Sequence, residues 1–143
     1  MSNDEILELL AAVSNLFERR LRAMALEEAP DLLFSQAKTI GFVGRNPGCS
    51  QQTLAGAVER DKGQVARLVK ELEARGLLRR EPDPDAWRAQ RLFLTDTGQA
   101  IFLRFHSRRA AIGQAMLEAL AEDQRIDLGR KLKVMFCALE TKP

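Results

Sequence analysis

The sequence has no tyrosine, one histidine, one tryptophan and two cysteines among its 143 residues, and each shortage removes a class of chemistry. His106, alone in a helical stretch, has no second histidine with which to form a metal site or acid–base pair, and it reads as a surface or interface residue. Cys49 and Cys137 are too few and too far apart for a disulfide scaffold or a metal ligand set. Two reduced thiols are expected; the sharper alternative is a peroxide or electrophile sensor at Cys49, in the turn Asn46-Pro47-Gly48-Cys49-Ser50. No Gly-rich phosphate loop, Cys-x-x-Cys pair or Gly-x-Ser-x-Gly elbow occurs, and the carboxylates fall on helix faces beside lysine or arginine. The chain is therefore expected to have no catalytic residues, no metal and no cofactor. No apolar run approaches the ~18 residues a membrane helix requires, and the opening MSNDEILELL is acidic where a signal peptide is basic. These features predict a cytoplasmic protein with no membrane partner. With a formal charge of +2, any case for a polyanionic partner rests on where the charges sit.

What is present is mostly helical periodicity. Ser2 and Glu5 form a Ser-x-x-Glu capping box, and Ile6, Leu9, Leu10, Val13, Leu16, Phe17, Leu21 and Met24 then recur at helical spacing until Pro30. Leu32 to Phe42 reads as a second helix, closed by Asn46-Pro47-Gly48. Ser50 can cap a short third helix carrying Leu54 and Val58. Asp61 and Gln64 cap a fourth, on which Val65, Leu68, Val69 and Leu72 form an i, i+3, i+4, i+7 stripe that Gly76 ends. Leu77 to Glu81 and Gln90 to Leu94 read as strands. A long helix follows from Thr95, then a polar AEDQR break, then a last amphipathic helix from about Leu128. The terminal helices carry more apolar stripe than so small a middle segment can bury, which predicts a two-fold dimer.

On a helical wheel of the fourth helix, Gly63, Ala66, Arg67, Lys70 and Ala74 lie opposite the apolar stripe. This face is narrow and basic, and its nearest glutamates, Glu71 and Glu73, lie toward the C-terminal half. Recognition helices enter the major groove by their N-terminal part, where the helix dipole also favours phosphate. Lys62 and Arg67 suit guanine edges and Gln64 suits adenine, while Lys70 suits phosphate. The short capped helix just before Asp61 supplies the two-helix, tight-turn spacing of a DNA-binding unit.

The stretch LAGAVERDKGQVARLVKELEARGLLRREPDPDAWRAQRLFLTDTGQA, residues 54–100, resembles the winged helix-turn-helix core of the MarR family of bacterial transcription regulators. Gly76-Leu77-Leu78-Arg79-Arg80 and the turn Leu94-Thr95-x-x-Gly98 carry the resemblance. It implies a mainly α fold with a small β-hairpin wing and long N- and C-terminal dimerisation helices. Within a single domain, 1–143, residues 30–100 would form the DNA-binding part, and 1–29 with 101–143 the dimerisation part. It further implies a homodimer on a pseudo-palindromic double-stranded DNA operator, a repressor rather than an activator, released by a small aromatic or phenolic effector.

On this reading Ser50, Gln51 and Lys70 hold phosphates, Lys62, Gly63, Gln64 and Arg67 approach base edges, and Arg88 enters the minor groove from the wing. The family's wing usually runs Asp-Pro-x-Asp-Arg-Arg; here Asp83-Pro84-Asp85-Ala86-Trp87-Arg88 keeps the Asp-Pro start and the second arginine, with Ala86 and Trp87 in place of the second aspartate and the first arginine. Whether Asp85 stands in for the carboxylate missing at Ala86 stays open, and Trp87 is expected to pack on the wing strands near Phe93 rather than to contact a DNA sugar or an effector. With no tyrosine available, Arg19, Arg22, Ser35, Gln36 and Thr39 are the polar candidates for an effector. Two alternatives stay open: a redox regulator acting through Cys49, and a protein-interaction module whose degenerate wing no longer reads DNA.

Overall fold

A computed structural model of the chain describes residues 1–58 and 60–140. Their contacts group into two compact units, residues 1–109 and the chain from Ala110 onward.

In the first unit, α1 (Asn3–Glu28) opens on the expected capping box: Ser2 Oγ accepts from Glu5 N at 3.2 Å, and Glu5 Oε2 accepts from Ser2 N at 2.6 Å. Helix α2 (Phe34–Arg45) ends where Asn46 Nδ2 donates to Phe42 O at 3.0 Å and Gly48 turns the chain at φ 84°. Helices α3 (Gln51–Val58) and α4 (Lys62–Ala74) form the helix-turn-helix. Strands β2 (Leu78–Pro82) and β3 (Gln90–Leu94) form the hairpin, pairing Leu78 with Leu94 through to Pro82 with Gln90.

A third strand had no counterpart in the sequence reading. Cys49–Ser50 forms β1, antiparallel to β3 with Cys49 opposite Leu92, so the sheet order is β1-β3-β2. Ile40 and Val43 of α2, Leu54 of α3, Val69 and Leu72 of α4 and Leu92 of β3 lose all solvent exposure around this sheet. Each such side chain contributes about 1.5–3 kcal/mol, enough to fix the bearing of α4 on the unit.

Helix α5 (Asp96–Leu117) begins in the first unit and ends in the second. Its start explains the Leu94-Thr95-x-x-Gly98 turn. Thr95 Oγ1 donates to Gly76 O at 2.6 Å and accepts from Gly98 N at 3.1 Å, tying the helix to the segment before β2. A Cβ on Gly98 would stand 2.0 Å from the Leu77 carbonyl oxygen, so only glycine fits.

The second unit holds the end of α5 and α6 (Glu122–Glu140). The expected break at residues 121–125 lies earlier: Glu122 to Arg125 form the first turn of α6, with Gln124 Oε1 accepting from Ala121 N at 2.9 Å. Glu122 and Asp123 suit a helix N-terminus, where carboxylates meet the positive end of the dipole. No described residue of α6 is buried.

Candidate nucleic-acid interface

Helix α4 is amphipathic in the way its spacing requires: Val65, Leu68, Val69 and Leu72 are buried, while Lys62, Gly63, Gln64, Arg67 and Lys70 are exposed. The electrostatics separate the two ends of its outer face. Glu71 Oε2 accepts from Gln36 Nε2 at 3.2 Å, and Glu73 pairs with Arg80 of β2 at 2.7 Å. Lys62, Arg67 and Lys70 have no ion-pair partner among the described residues. The carboxylates of the helix are thus occupied by its neighbours and its cations are left to solvent.

Gln64 is partly committed. Its Oε1 accepts from Asp61 N at 3.3 Å, while its backbone N donates to Asp61 Oδ1 at 2.8 Å. The capping box leaves Nε2 as the free donor, so a two-bond contact to adenine would require the box to open. Ser50 Oγ is likewise the cap of α3, accepting from Thr53 N at 3.0 Å beside the Thr53 hydroxyl. Gln51, half-buried, opens that helix.

The wing is closed by its own bonds. Asp85 N donates to Asp83 Oδ1 at 2.9 Å, Asp83 N to Ala89 O at 2.9 Å, and Ala89 N to Ala86 O at 3.2 Å. The open question of Asp85 is answered here, and the expected packing of Trp87 is corrected. Asp85 does not orient Arg88: its Oδ2 lies 3.4 Å from Arg91 Nη2, which also reaches Asp83 Oδ1 at 3.4 Å. Trp87 does not pack beside Phe93 either. It is 85% exposed, with the Arg88 guanidinium 4.2 Å over its ring, and Phe93 instead carries Arg79 at 4.6 Å. With Ala86 where a carboxylate would compete for the cation, Arg88 takes the adjacent indole face.

A cavity of about 220 Å³ opens in the first unit between α1, α2 and α5. Of the seven phenylalanines in the chain, five line it: Phe17, Phe34, Phe42, Phe102 and Phe105. Its lining includes Lys38, Arg45 and Arg109 and no carboxylate. Lys38 is paired with Glu18 at 3.2 Å, and neighbouring Arg108 with Glu27 at 2.6 Å and Glu28 at 3.1 Å. Arg45 and Arg109 have no such partner among the described residues; Arg109 lies 5.6 Å over the Phe17 ring. Burial, and then the Arg109 guanidinium, hold Arg45 below the ordinary arginine value. Two cations therefore line an aromatic cavity with no ion-pair partner among the described residues.

The structure does not bring the five proposed effector residues together. Gln36 and Thr39 are buried; Gln36 Oε1 accepts from Leu33 N at 3.0 Å, and Thr39 Oγ1 donates to Ser35 O at 2.8 Å. Arg22 and Ser35 line a second hollow, of about 300 Å³, with Val58 and Arg60 also in its wall and the Arg22 guanidinium 4.2 Å over Phe34. Arg19 is exposed and lines neither hollow. Arg45 and Arg109 were missed because a phenylalanine facing a cavity has the same helical spacing as one facing a core, and the cations gain meaning only when α2 meets α5.

Cys49 is half-buried within β1, and burial pushes its thiol up, against the lowering effect of a backbone hydrogen bond. A sensor thiol needs the opposite shift, because the thiolate is the reactive species.

Residues 31–89 match the model of the MarR family. The HTH-type transcriptional regulator BilQ of Clostridium symbiosum (strain WAL-14163) is 34% identical over 87 residues, 61% of this chain and 60% of that protein. The chain thus spans less than two thirds of the length of this curated relative. A MarR-family transcriptional regulator from Silicibacter pomeroyi has a similar crystal structure, with a TM-score of 0.80 at 21% identity over 94% of this chain and 89% of that one. Streptococcus pneumoniae FabT, crystallised in complex with DNA, gives 0.68 at 20% identity over 97% and 98%.

Proposed function

We propose, from the premise that residues 31–89 of this chain belong to the MarR family, that the protein is a homodimeric DNA-binding transcription regulator. On this reading it represses until a small acidic aromatic molecule enters its cavity. The observation that carries the DNA-binding part is the exposed face of α4, where Lys62, Arg67 and Lys70 lack partners while Glu71 and Glu73 are engaged. That face offers positive charge to a groove without an internal competitor. The DNA in the FabT complex supports the same use of the fold. The repressor assignment rests on the resemblance.

Homodimerisation is supported by stripes the monomer leaves uncovered. Leu9, Val13 and Leu16 of α1 are 46–53% exposed, and Ile126, Leu132 and Phe136 of α6 are 41–61% exposed. A helix that buries nothing derives little stability from propensity alone. A second copy would supply the missing surface.

Binding to a fluorescently labelled 30-base-pair duplex across a range of KCl concentrations tests this reading. Each phosphate neutralised contributes about −0.9 to the slope of log K against log salt, so a steep negative slope is expected. Weak, salt-insensitive association would instead favour the protein-interaction module.

The cavity supports an effector with an aromatic body and one negative charge. It exceeds the ~150 Å³ apolar cavity that holds benzene, so a bicyclic acid is a suitable probe. 1-Naphthoate is expected to raise the melting temperature and weaken duplex binding, while 1-naphthamide does neither. Arg45→Gln should weaken naphthoate binding about tenfold. Equal responses to acid and amide would rule out the anionic class. The shift at Cys49 favours this signal over oxidation: peroxide that oxidises free cysteine is expected to leave duplex binding unchanged, and a loss abolished by Cys49→Ser would restore the redox reading.

A further inference from the structure

The wing tip carries a side chain that the DNA-binding reading does not yet use. Trp87 is 85% exposed, and its indole has a large apolar surface and a polar N–H to offer a partner. The tip is shaped, not slack: three hydrogen bonds close it, and Arg91 draws Asp83 and Asp85 together. Within that frame Arg88 has φ 60°, the one positive value at a described non-glycine residue. The chain thus holds an uncommon backbone conformation at the residue whose guanidinium covers one face of the indole at 4.2 Å.

Charge identifies the partner. Glu81 pairs with Arg79, and Asp83 and Asp85 pair with Arg91. Arg88 has no ion-pair partner among the described residues, so the tip presents one cation stacked on one indole. A narrow minor groove offers what this pair lacks, a strongly negative potential flanked by apolar deoxyribose walls. Intercalation between bases requires both faces of a ring, and one face of Trp87 is already occupied.

Resting on the reading that this chain binds DNA, we propose that Trp87 and Arg88 act as one minor-groove unit: the guanidinium enters the groove and the free face of the indole packs on a deoxyribose of its wall. The charged member contributes to the salt dependence of binding, and the uncharged member contributes affinity without salt dependence.

Trp87 is the only tryptophan in the chain, so its emission reports on the tip alone. The 143-residue chain is titrated with a fluorescein-labelled 30-base-pair A/T-rich duplex. Anisotropy of the label gives binding, and acrylamide quenching gives the exposure of Trp87. Bound DNA is expected to shield Trp87 from acrylamide. Trp87→Ala should weaken binding about fivefold with the salt slope unchanged, whereas Arg88→Ala lowers the magnitude of the slope by about one per wing. Because the two act together, the double substitution should cost less than the sum of the single ones. Binding by anisotropy with Trp87 still fully quenched, and with Trp87→Ala at wild-type affinity, overturns this proposal and leaves the DNA reading intact. Absence of any duplex binding overturns both. Shielding of Trp87 by raised protein concentration without DNA would assign the tip to a protein contact and overturn it as well.

Discussion

Alanine at both Arg67 and Lys70 is expected to abolish specific DNA binding at physiological salt while leaving the fold intact. Both side chains are exposed and lack ion-pair partners among the described residues, so their removal costs the monomer little. A bidentate arginine contact to guanine is worth about 1–3 kcal/mol of discrimination, or about five- to 150-fold in affinity. Lys70, at a phosphate, contributes about one unit of salt slope. In a two-fold dimer each substitution counts twice, so the slope should fall by about two from Lys70 alone. Isothermal titration at two salt concentrations, with circular dichroism to check folding, distinguishes this from denaturation. Retained affinity in a folded double variant would move the interface off α4.

Gly98→Ala is expected to destabilise the first unit by about 3 kcal/mol or more, through overpacking against backbone. The new Cβ would meet the Leu77 carbonyl oxygen at 2.0 Å and its carbon at 3.0 Å. Neither is a flexible side-chain end, so α5 must shift. That shift stretches the Thr95 bond to Gly76 O, which ties the start of α5 to the segment before β2. For a chain of this size the loss corresponds to a drop of about 10 °C in melting temperature. Gly56→Ala is the control: nothing lies within 4 Å of its Cβ position inside α3, and it should gain about 0.5–1 kcal/mol. A Gly98→Ala variant melting with the parent would show that the α5 start relaxes freely.

These predictions rest on features legible in the sequence to different degrees. Both capping boxes, Ser2 with Glu5 and Asp61 with Gln64, depend on residues three apart, and both form. The buried stripe of α4 is equally local. Strand β1 was invisible because two residues have no period; Cys49 and Ser50 become a strand only by pairing with Leu92 and Arg91. The start of α6 was displaced because Glu122 and Asp123 read as a polar break, although acidic residues also suit a first helical turn. Trp87 was expected to pack because a lone aromatic between strands usually finds a neighbour. It is exposed because Arg79 already covers Phe93 and Arg88 turns back onto the indole. The cavity was the least legible feature, since Phe17, Phe42 and Phe105 come together only through tertiary contact. Local hydrogen-bonding logic thus survives translation into structure, while long-range juxtaposition must be seen.

The central claim is that the outward face of α4, present twice by symmetry, reads a double helix. Selection of duplexes bound by the purified 143-residue chain from a random-sequence pool measures this directly. A two-fold symmetric consensus with half-sites about one helical turn apart is the predicted result. Recovery of duplexes with no common sequence, or of a single unrepeated half-site, would contradict it.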